Sequence, residues 1–242
     1  MVLRIFAIFL CYVILVVSLF FILVDNESLD FERITIGNES ENKLRIVHLS
    51  DLHFPRIHVN IDNLITEIQS QKPHIIAITG DIVGRRSNVT TSGVFEFMEL
   101  IVQIAPVYYV RGNHDASNRD TVLLHQGLKD RGVNILGDDR PFIEIYDFVI
   151  QLSHTPNFPS IYPITPNLVL AGHIHGGQFR LFGRGILCPD TIFFPRYSSG
   201  LYILGDTKLV MSRGLGNSII PWRFINRPHI PLIEIFLAKN SN

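Results

Sequence analysis

Five short apolar runs in this chain each end in a small polar cluster, and no other feature constrains its fold as tightly. LRIVHL leads into SDLHF, IIAIT into GDIVG, VYYV into RGNHDAS, FVIQL into SHTP, and LVLA into GHIHGGQ. Runs this short, apolar and rich in β-branched or aromatic residues read as strands. Helical spacing separates the early ones. Leu64, Ile65 and Ile68 predict a helix over 61–70, and Val94, Phe97, Met98 and Ile101 predict one over 92–104. Pro73 and Pro106 close these two helices. A third fits 119–129, with Asn118 as its N-cap. After Val133 the chain turns to short strands: VNIL, FIEI, FVIQL, LVLA, LYIL, KLVMS and PLIEIFL. Alternating strands and helices followed by a β-rich half predict an α/β fold of two facing sheets flanked by helices.

Strand tips in an open α/β sheet lie along one edge, where ligands bind. Asp51, His53, Asp81, Asn113, His114, His154, His173 and His175 are therefore expected in one crevice. Carboxylate, carboxamide and imidazole together suit Mn, Fe or Zn. No thiolate is placed for a structural zinc site. Two divalent ions about 3.5–4 Å apart clamp a phosphoryl group for in-line displacement. Such a pair needs one bridging carboxylate, and Asp81 at the Gly80-Asp81 turn suits that place. His114 suits acid–base work, since a positioned histidine is the usual proton donor.

The pieces differ in specificity. Asp-x-His occurs by chance, and Gly-Asp is an ordinary turn pair. Asn113 alone would also suit a left-handed turn. GHIHGGQ is more telling, because glycines frame two histidines in a loop built for close approach. His48, His58, His74, His125 and His229 fall outside the pattern and are expected as ordinary hydrogen-bonded residues. Arg213 either touches a substrate phosphate or lies on the surface. Tyr197 and Trp222 line either a pocket or the core, and Gln178 is a candidate to shape the GHIH loop.

The ordered series DLH, GD, GNHD, SH and GHIH resembles the calcineurin-like metallophosphoesterases, from about Leu44 to the C-terminus. The GHIHGGQ extension and the tail SRGLGNSIIPWRFINRP look like the membrane-associated bacterial branch, some members of which hydrolyse the pyrophosphate of UDP-2,3-diacylglucosamine. The resemblance implies a four-layer αββα sandwich of the metallo-dependent phosphatase type. It also implies two divalent metal ions (Mn, Fe or Zn). Asp51, His53, Asp81 and His175 would hold one, and Asp81, Asn113, His154 and His173 the other. It implies hydrolysis of a phosphoester or pyrophosphate bond by in-line attack of a metal-bridging hydroxide, with His114 protonating the leaving oxygen and Asp115 orienting His114. The chain departs from that branch between Gly137 and His154, where an extra strand and a helical insertion are missing. The loss trims a sheet edge or a substrate-covering element and puts the substrate in question. A UDP-linked lipid precursor, a soluble nucleotide and a phosphoprotein all stay open. A catalytically silent membrane-tethered scaffold on the same fold is the competing class, although every expected ligand is present.

The amino terminus sets the context. Residues 5–24 read IFAIFLCYVILVVSLFFILV without a charge, long enough for a transmembrane helix. A cleaved signal peptide would have a shorter apolar core and a small-residue cleavage site. The expected organisation is an anchor at 1–24, a membrane-proximal segment at 25–43 with FERITIG as a candidate first strand, and a phosphoesterase domain at 44–242. Arg4 before the helix and Asp25, Glu27, Asp30 and Glu32 after it place the amino terminus in the cytoplasm and the domain outside. A UDP-linked lipid substrate would require the cytosolic side, so the two inferences oppose each other. The expected partners are a phosphorylated small-molecule or lipid substrate and the membrane. A formal net charge of −1 gives no reason to expect nucleic acid. Cys11 in the apolar helix and Cys188 in the domain make no plausible disulfide.

Overall fold

The computed structural model describes residues 2–38, 42–157, 164–188, 193–218 and 220–237. Helix α1 (Val2–Glu27) leads into β1 (Asp30–Ile36) and β2 (Lys43–Leu49). Then come α2 (Ile61–Ser70), β3 (Ile75–Ile78), α3 (Val94–Ile101), β4 (Val107–Tyr109), α4 (Asn113–Ser117), α5 (Thr121–Asp130) and β5 (Asn134–Ile135). The second half holds β6 (Phe142–Ile145), β7 (Phe148–Ser153), β8 (Leu168–Ala171), β9 (Arg180–Leu181), β10 (Arg184–Gly185), β11 (Gly200–Leu204), β12 (Thr207–Met211) and β13 (His229–Phe236).

The strands form a six-stranded sheet in the order β1-β13-β2-β3-β4-β5, a five-stranded sheet in the order β11-β12-β8-β7-β6, and the small β9-β10 hairpin. In the first sheet β2, β3, β4 and β5 run parallel, and in the second β12, β8 and β7 do. The last strand of the chain, β13, inserts between β1 and β2, so the C-terminus closes the first sheet. Parallel runs put the ends of β2, β3 and β4 on one edge of the first sheet, and those of β7 and β8 on one edge of the second.

Period-two alternation divides each strand between two cores. Val47 and Leu49 of β2, with Ile76 and Ile78 of β3, pack against Leu64 and Ile68 of α2, Phe97 and Met98 of α3, and Leu124 and Leu128 of α5. The opposite face carries Leu44, Ile46, Ile75 and Ala77, which meet Ile150, Leu152, Leu168, Leu170 and Val210 of the second sheet. Burial of these side chains, at about 1.5–3 kcal/mol each, holds the two sheets face to face.

The outer face of the second sheet differs from expectation. Val169, Ala171, Leu209 and Met211 are covered there by Ile174, Cys188 and Tyr197 from loops and by Tyr202 and Leu204 of β11. Among the described residues this layer is irregular rather than helical, which corrects the expected four-layer sandwich. The chain from 172 to 228 is punctuated by glycine and proline and has no helical period. Between Gly137 and His154 the short interval forms the β6-β7 hairpin, with β6 at the sheet edge. Tyr197 belongs to this core, its ring 5.0 Å from that of Tyr202.

Helix α1 runs through the expected anchor, and its described apolar side chains are exposed, Ile8 and Leu15 among them. The side chains at 21–24 lie outside the described residues, and among the described residues no helix is long and apolar enough to cross a membrane. The candidate first strand is present as β1. Two helix boundaries shift. A 3-10 turn (Val89–Thr91) capped by Asn88 precedes α3, and Asn118 supports the turn before α5 by accepting from the Asp120 amide at 2.8 Å.

His48 shares the inter-sheet face of β2 with Leu44 and Ile46, and its Nε2 meets Thr79 Oγ1 at 2.8 Å. Burial pushes its pKa from 6.5 down to about 3. As pH falls below about 6.5 the unfolded chain takes up a proton that the folded chain refuses, so stability declines until pH nears 3. From pH 7 to pH 5 the native protein is expected to lose up to about 2 kcal/mol more than His48→Gln in urea unfolding. Parallel pH slopes for the two proteins would contradict this.

Candidate metal centre

Each polar cluster begins where a strand stops and the backbone bends sharply. Asp51, His53, Asp81, His173 and His175 all have positive φ, between 50° and 72°. Non-glycine residues rarely adopt this region, at a cost of about 1–3 kcal/mol each, and such residues gather at functional sites. Two glycines allow the turns to approach. A Cβ on Gly112 would lie 2.2 Å from Asp81 Oδ1, and one on Gly172 would lie 1.8 Å from Ser50 Oγ.

The turns bring the ligand-type residues into three overlapping groups: Asp51, His53 and His175; His53, Asp81 and His114; and Asp81, His154 and His173. Within each group one ligand atom per residue lies within 4.8 Å of the others. Asp81 belongs to two groups, with Oδ2 3.8 Å from His53 Nε2 and 3.4 Å from His154 Nε2. Its other oxygen accepts the His114 backbone N–H at 2.8 Å, which ties the β3 turn to the start of α4. Asp51 accepts the His173 N–H at 2.9 Å and the Ser50 hydroxyl at 2.7 Å, joining the turns after β2 and β8. Asn113 Oδ1 lies 2.8 Å from His154 Nε2.

The donor set suits cations. His154 Nδ1 lies 2.7 Å from the Thr79 carbonyl, which requires its proton on Nδ1. His154 Nε2 then faces Asn113 Oδ1, Asp81 Oδ2 and His173 Nδ1, the last at 3.1 Å. Such a convergence of acceptors calls for positive charge at its centre. Burial opposes a charged His154 ring, but the hydrogen bond and charge of Asp81 outweigh it and push the pKa up to about 9. Burial also opposes ionisation of Asp81, yet His154 holds its carboxyl well below the usual range. On the other side His53 Nε2 and His175 Nε2 lie 3.1 Å apart. Burial keeps both rings neutral, with His53 at about 3 and His175 well below its ordinary value, and His175 Nδ1 has no hydrogen-bond partner. Two neutral imidazoles aimed at each other beside the buried Asp51, in a site rich in acceptors, fit a divalent ion on that side too.

His114 stands beside this cluster. Its ring meets that of His53 edge-on at 4.8 Å, and its Nδ1 faces the Arg85 amide at 3.4 Å. Asp115 does not orient it. The Asp115 carboxylate accepts from Tyr109 Oη at 2.9 Å, Gly112 N at 3.0 Å and Val83 N at 3.1 Å, so it pins the turn after β4 to the loop after β3. Arg213 also turns elsewhere. Its guanidinium pairs with Asp30 and with Ser199 Oγ, and its stem packs beneath Gly176. Gln178, a candidate from the sequence, braces the GHIH loop. Its side-chain amide donates to the Trp222 carbonyl, and Asn226 Nδ2 bridges the carbonyls of His175 and Gln178.

The remaining histidines have structural partners where partners are seen. His74 Nδ1 accepts from Arg45 N, His229 Nε2 lies 2.9 Å from Glu32, and His125 stands edge-on to Tyr109. Sequence reasoning missed a basic cleft. Arg56, Arg85 and Arg86 line a cavity of about 710 Å³ that opens beside His53 and His114, with no aspartate or glutamate in its wall among the described residues. The Arg85-Arg86 pair directly after the GDIVG turn was the available signal.

The profile of the calcineurin-like phosphoesterases matches residues 44–177. The chain belongs to that family. It is 27% identical to the uncharacterized metallophosphoesterase YkoQ of Bacillus subtilis (strain 168), across 82% of this chain and 86% of YkoQ. It is 25% identical to YkuE of the same organism, across 82% of this chain and 80% of YkuE. It is 24% identical to phosphodiesterase YaeI of Escherichia coli (strain K12), across 84% of this chain and 86% of YaeI. The chain is thus a metallophosphoesterase, and its family uses divalent metals.

Asp115→Ala would strand the Tyr109 hydroxyl and two backbone N–H groups at the centre of the site. A loss of about 3 kcal/mol or more is expected in chemical denaturation, with Asp115→Asn in between. An unchanged midpoint for the alanine protein would refute this anchoring role.

Proposed function

We propose that the chain is a binuclear metal-dependent hydrolase of phosphoester or pyrophosphate bonds. The observation that carries this reading is the sharing of Asp81 between two clusters of ligand-type side chains. Asp51, His53, Asp81 and His175 would hold one ion, and Asp81, Asn113, His154 and His173 the other. When bound, such a pair stabilises charge on phosphoryl oxygens and supplies an activated water.

The chain's own residues do the rest. The Asp81–His114 hydrogen bond sets His114 at a fixed height over the cluster. With Nδ1 accepting from Arg85 N, the ring proton sits on Nε2, placed to hydrogen-bond the leaving oxygen and stabilise the negative charge that develops there. Arg56, Arg85 and Arg86 supply positive charge to an anionic substrate in the cleft. Asp115 positions the turn that carries Asn113 and His114.

Hydrolysis of bis-p-nitrophenyl phosphate after loading with Mn tests the reaction. His114→Ala is expected to keep its metal and lose roughly 100-fold or more in turnover. Equal activity would remove His114 from the mechanism. Asp81→Asn is expected to lose both metal content, read by elemental analysis, and activity. Full retention of both would eliminate the shared ligand. A folded protein that binds metal and hydrolyses nothing would favour the scaffold.

A membrane-borne substrate, such as a UDP-linked lipid precursor, is the finer form of this reading. Its support is the uncharged stretch at 5–24, proposed as a single-pass anchor. Extraction of the full chain from membranes by alkaline carbonate would count against the anchor.

A further inference from the structure

The irregular layer on the second sheet presents an apolar face that the hydrolase reading does not use. The β9-β10 hairpin turns at Phe182, which is 94% exposed. Two further segments flank the hairpin. Leu187 bridges to Phe193 and the Phe194 amide donates to Ile186, while Phe179 bridges to Phe224 and the Arg180 amide donates to the same residue. These segments lie side by side and expose Leu181, Phe182, Phe193, Phe194, Trp222 and Ile225. Single exposed apolar side chains are ordinary, but aromatics gathered on adjoining ribbons mark an interaction surface.

The charge around them selects the occupant. Arg184 and Arg196 are exposed within the same segments. No aspartate or glutamate occurs in 179–187, 193–200 or 220–228. Aromatic side chains flanked by arginine suit a bilayer interface, where rings enter the headgroup boundary and cations meet anionic lipid. The chain also leaves the domain here. The Asp30 amide donates to the Pro228 carbonyl at 2.8 Å, so the start of β1, which follows α1, meets the end of the 220–228 segment. The segment that follows α1 and the segment that precedes β13 therefore meet at one edge of the first sheet.

The face is coupled to the site. Arg180 Nη1 donates to the Gly176 carbonyl at 2.7 Å, and the Leu187 amide to the Gly177 carbonyl at 3.2 Å. Both carbonyls belong to the loop that carries His173 and His175. We propose that this aromatic, arginine-flanked face docks on an anionic lipid surface, holding the GHIH loop next to the bilayer. The docking depends on neither the substrate nor the presence of metal.

Trp222 is the only tryptophan in the chain and lies in the face. The full chain is mixed with phosphatidylcholine vesicles, with or without phosphatidylglycerol, carrying doxyl-labelled lipid. Helix α1 can bring the chain to either vesicle, so dependence on lipid composition belongs to the face. Trp222 emission is expected to shift to the blue and be quenched with phosphatidylglycerol present. In Phe182→Ser/Phe194→Ser and in Arg184→Gln/Arg196→Gln, quenching is expected to fall to the level seen with phosphatidylcholine alone. Circular dichroism checks that both variants fold. Absent quenching, or quenching unaltered by both pairs of substitutions, overturns the proposal. So does a blue shift that appears without lipid and grows with protein concentration, which would assign the face to a second copy of the chain. Hydrolysis of bis-p-nitrophenyl phosphate is measured on the same samples. Its loss with quenching intact would count against the hydrolase reading and leave the docking face standing.

Discussion

Asp81 is the residue through which the parts of the site meet. Its carboxylate lies at the tip of β3 between His53 on one side and His154 on the other, and it holds the His114 amide from the turn after β4. A buried carboxylate stays ionised only where positive charge or hydrogen bonds offset the loss of water. The whole site follows from that requirement. Three strand tips of one sheet and two of the other converge around it, each bringing an imidazole, amide or carboxylate group.

That convergence carries a cost in backbone strain, with five ligand-type residues in the left-handed region. The cost is sustained because the strands behind the turns are buried on both faces. Ile76 and Ile78 of β3 lie against the helices, and Ile75 and Ala77 lie against the second sheet. A strand held on both sides cannot relax to relieve its own tip. The Asp115 carboxylate adds a local brace by satisfying three donors from the loop after β3, the end of β4 and the turn after it. Stability in the cores and strain at the edge are thus one arrangement, in which packing energy maintains a preorganised cluster of ligand-type side chains.

The same layering separates the two sides of the second sheet. Its inner face joins the common core, while its outer face is covered by the loops between β8 and β13. Those loops carry the GHIH turn inward and expose aromatic side chains outward. Arg213 and Gln178 belong to this layer as internal struts. Arg213 links the loop floor to Asp30 of β1, and Gln178 ties the GHIH turn to Trp222.

What the sequence determined by itself was local in origin. Apolar runs of strand length ending in Asp, Asn and His reported both the sheet edge and the cluster of ligand-type residues, because each motif pairs a hydrophobic period with an adjacent polar turn. Helix α2 was legible to the residue for the same reason. The roles of Asp115 and Arg213 were not legible, since a charged residue next to a motif looks the same whether it faces the substrate or a buried hydroxyl. The irregular outer layer seen among the described residues was equally hidden, because irregular loops leave no period to read. Only the tertiary structure decided these points. Packing set which of two nearby charges enters the crevice, brought Arg56 up to Arg85 and Arg86, and laid three distant segments side by side as one exposed aromatic face.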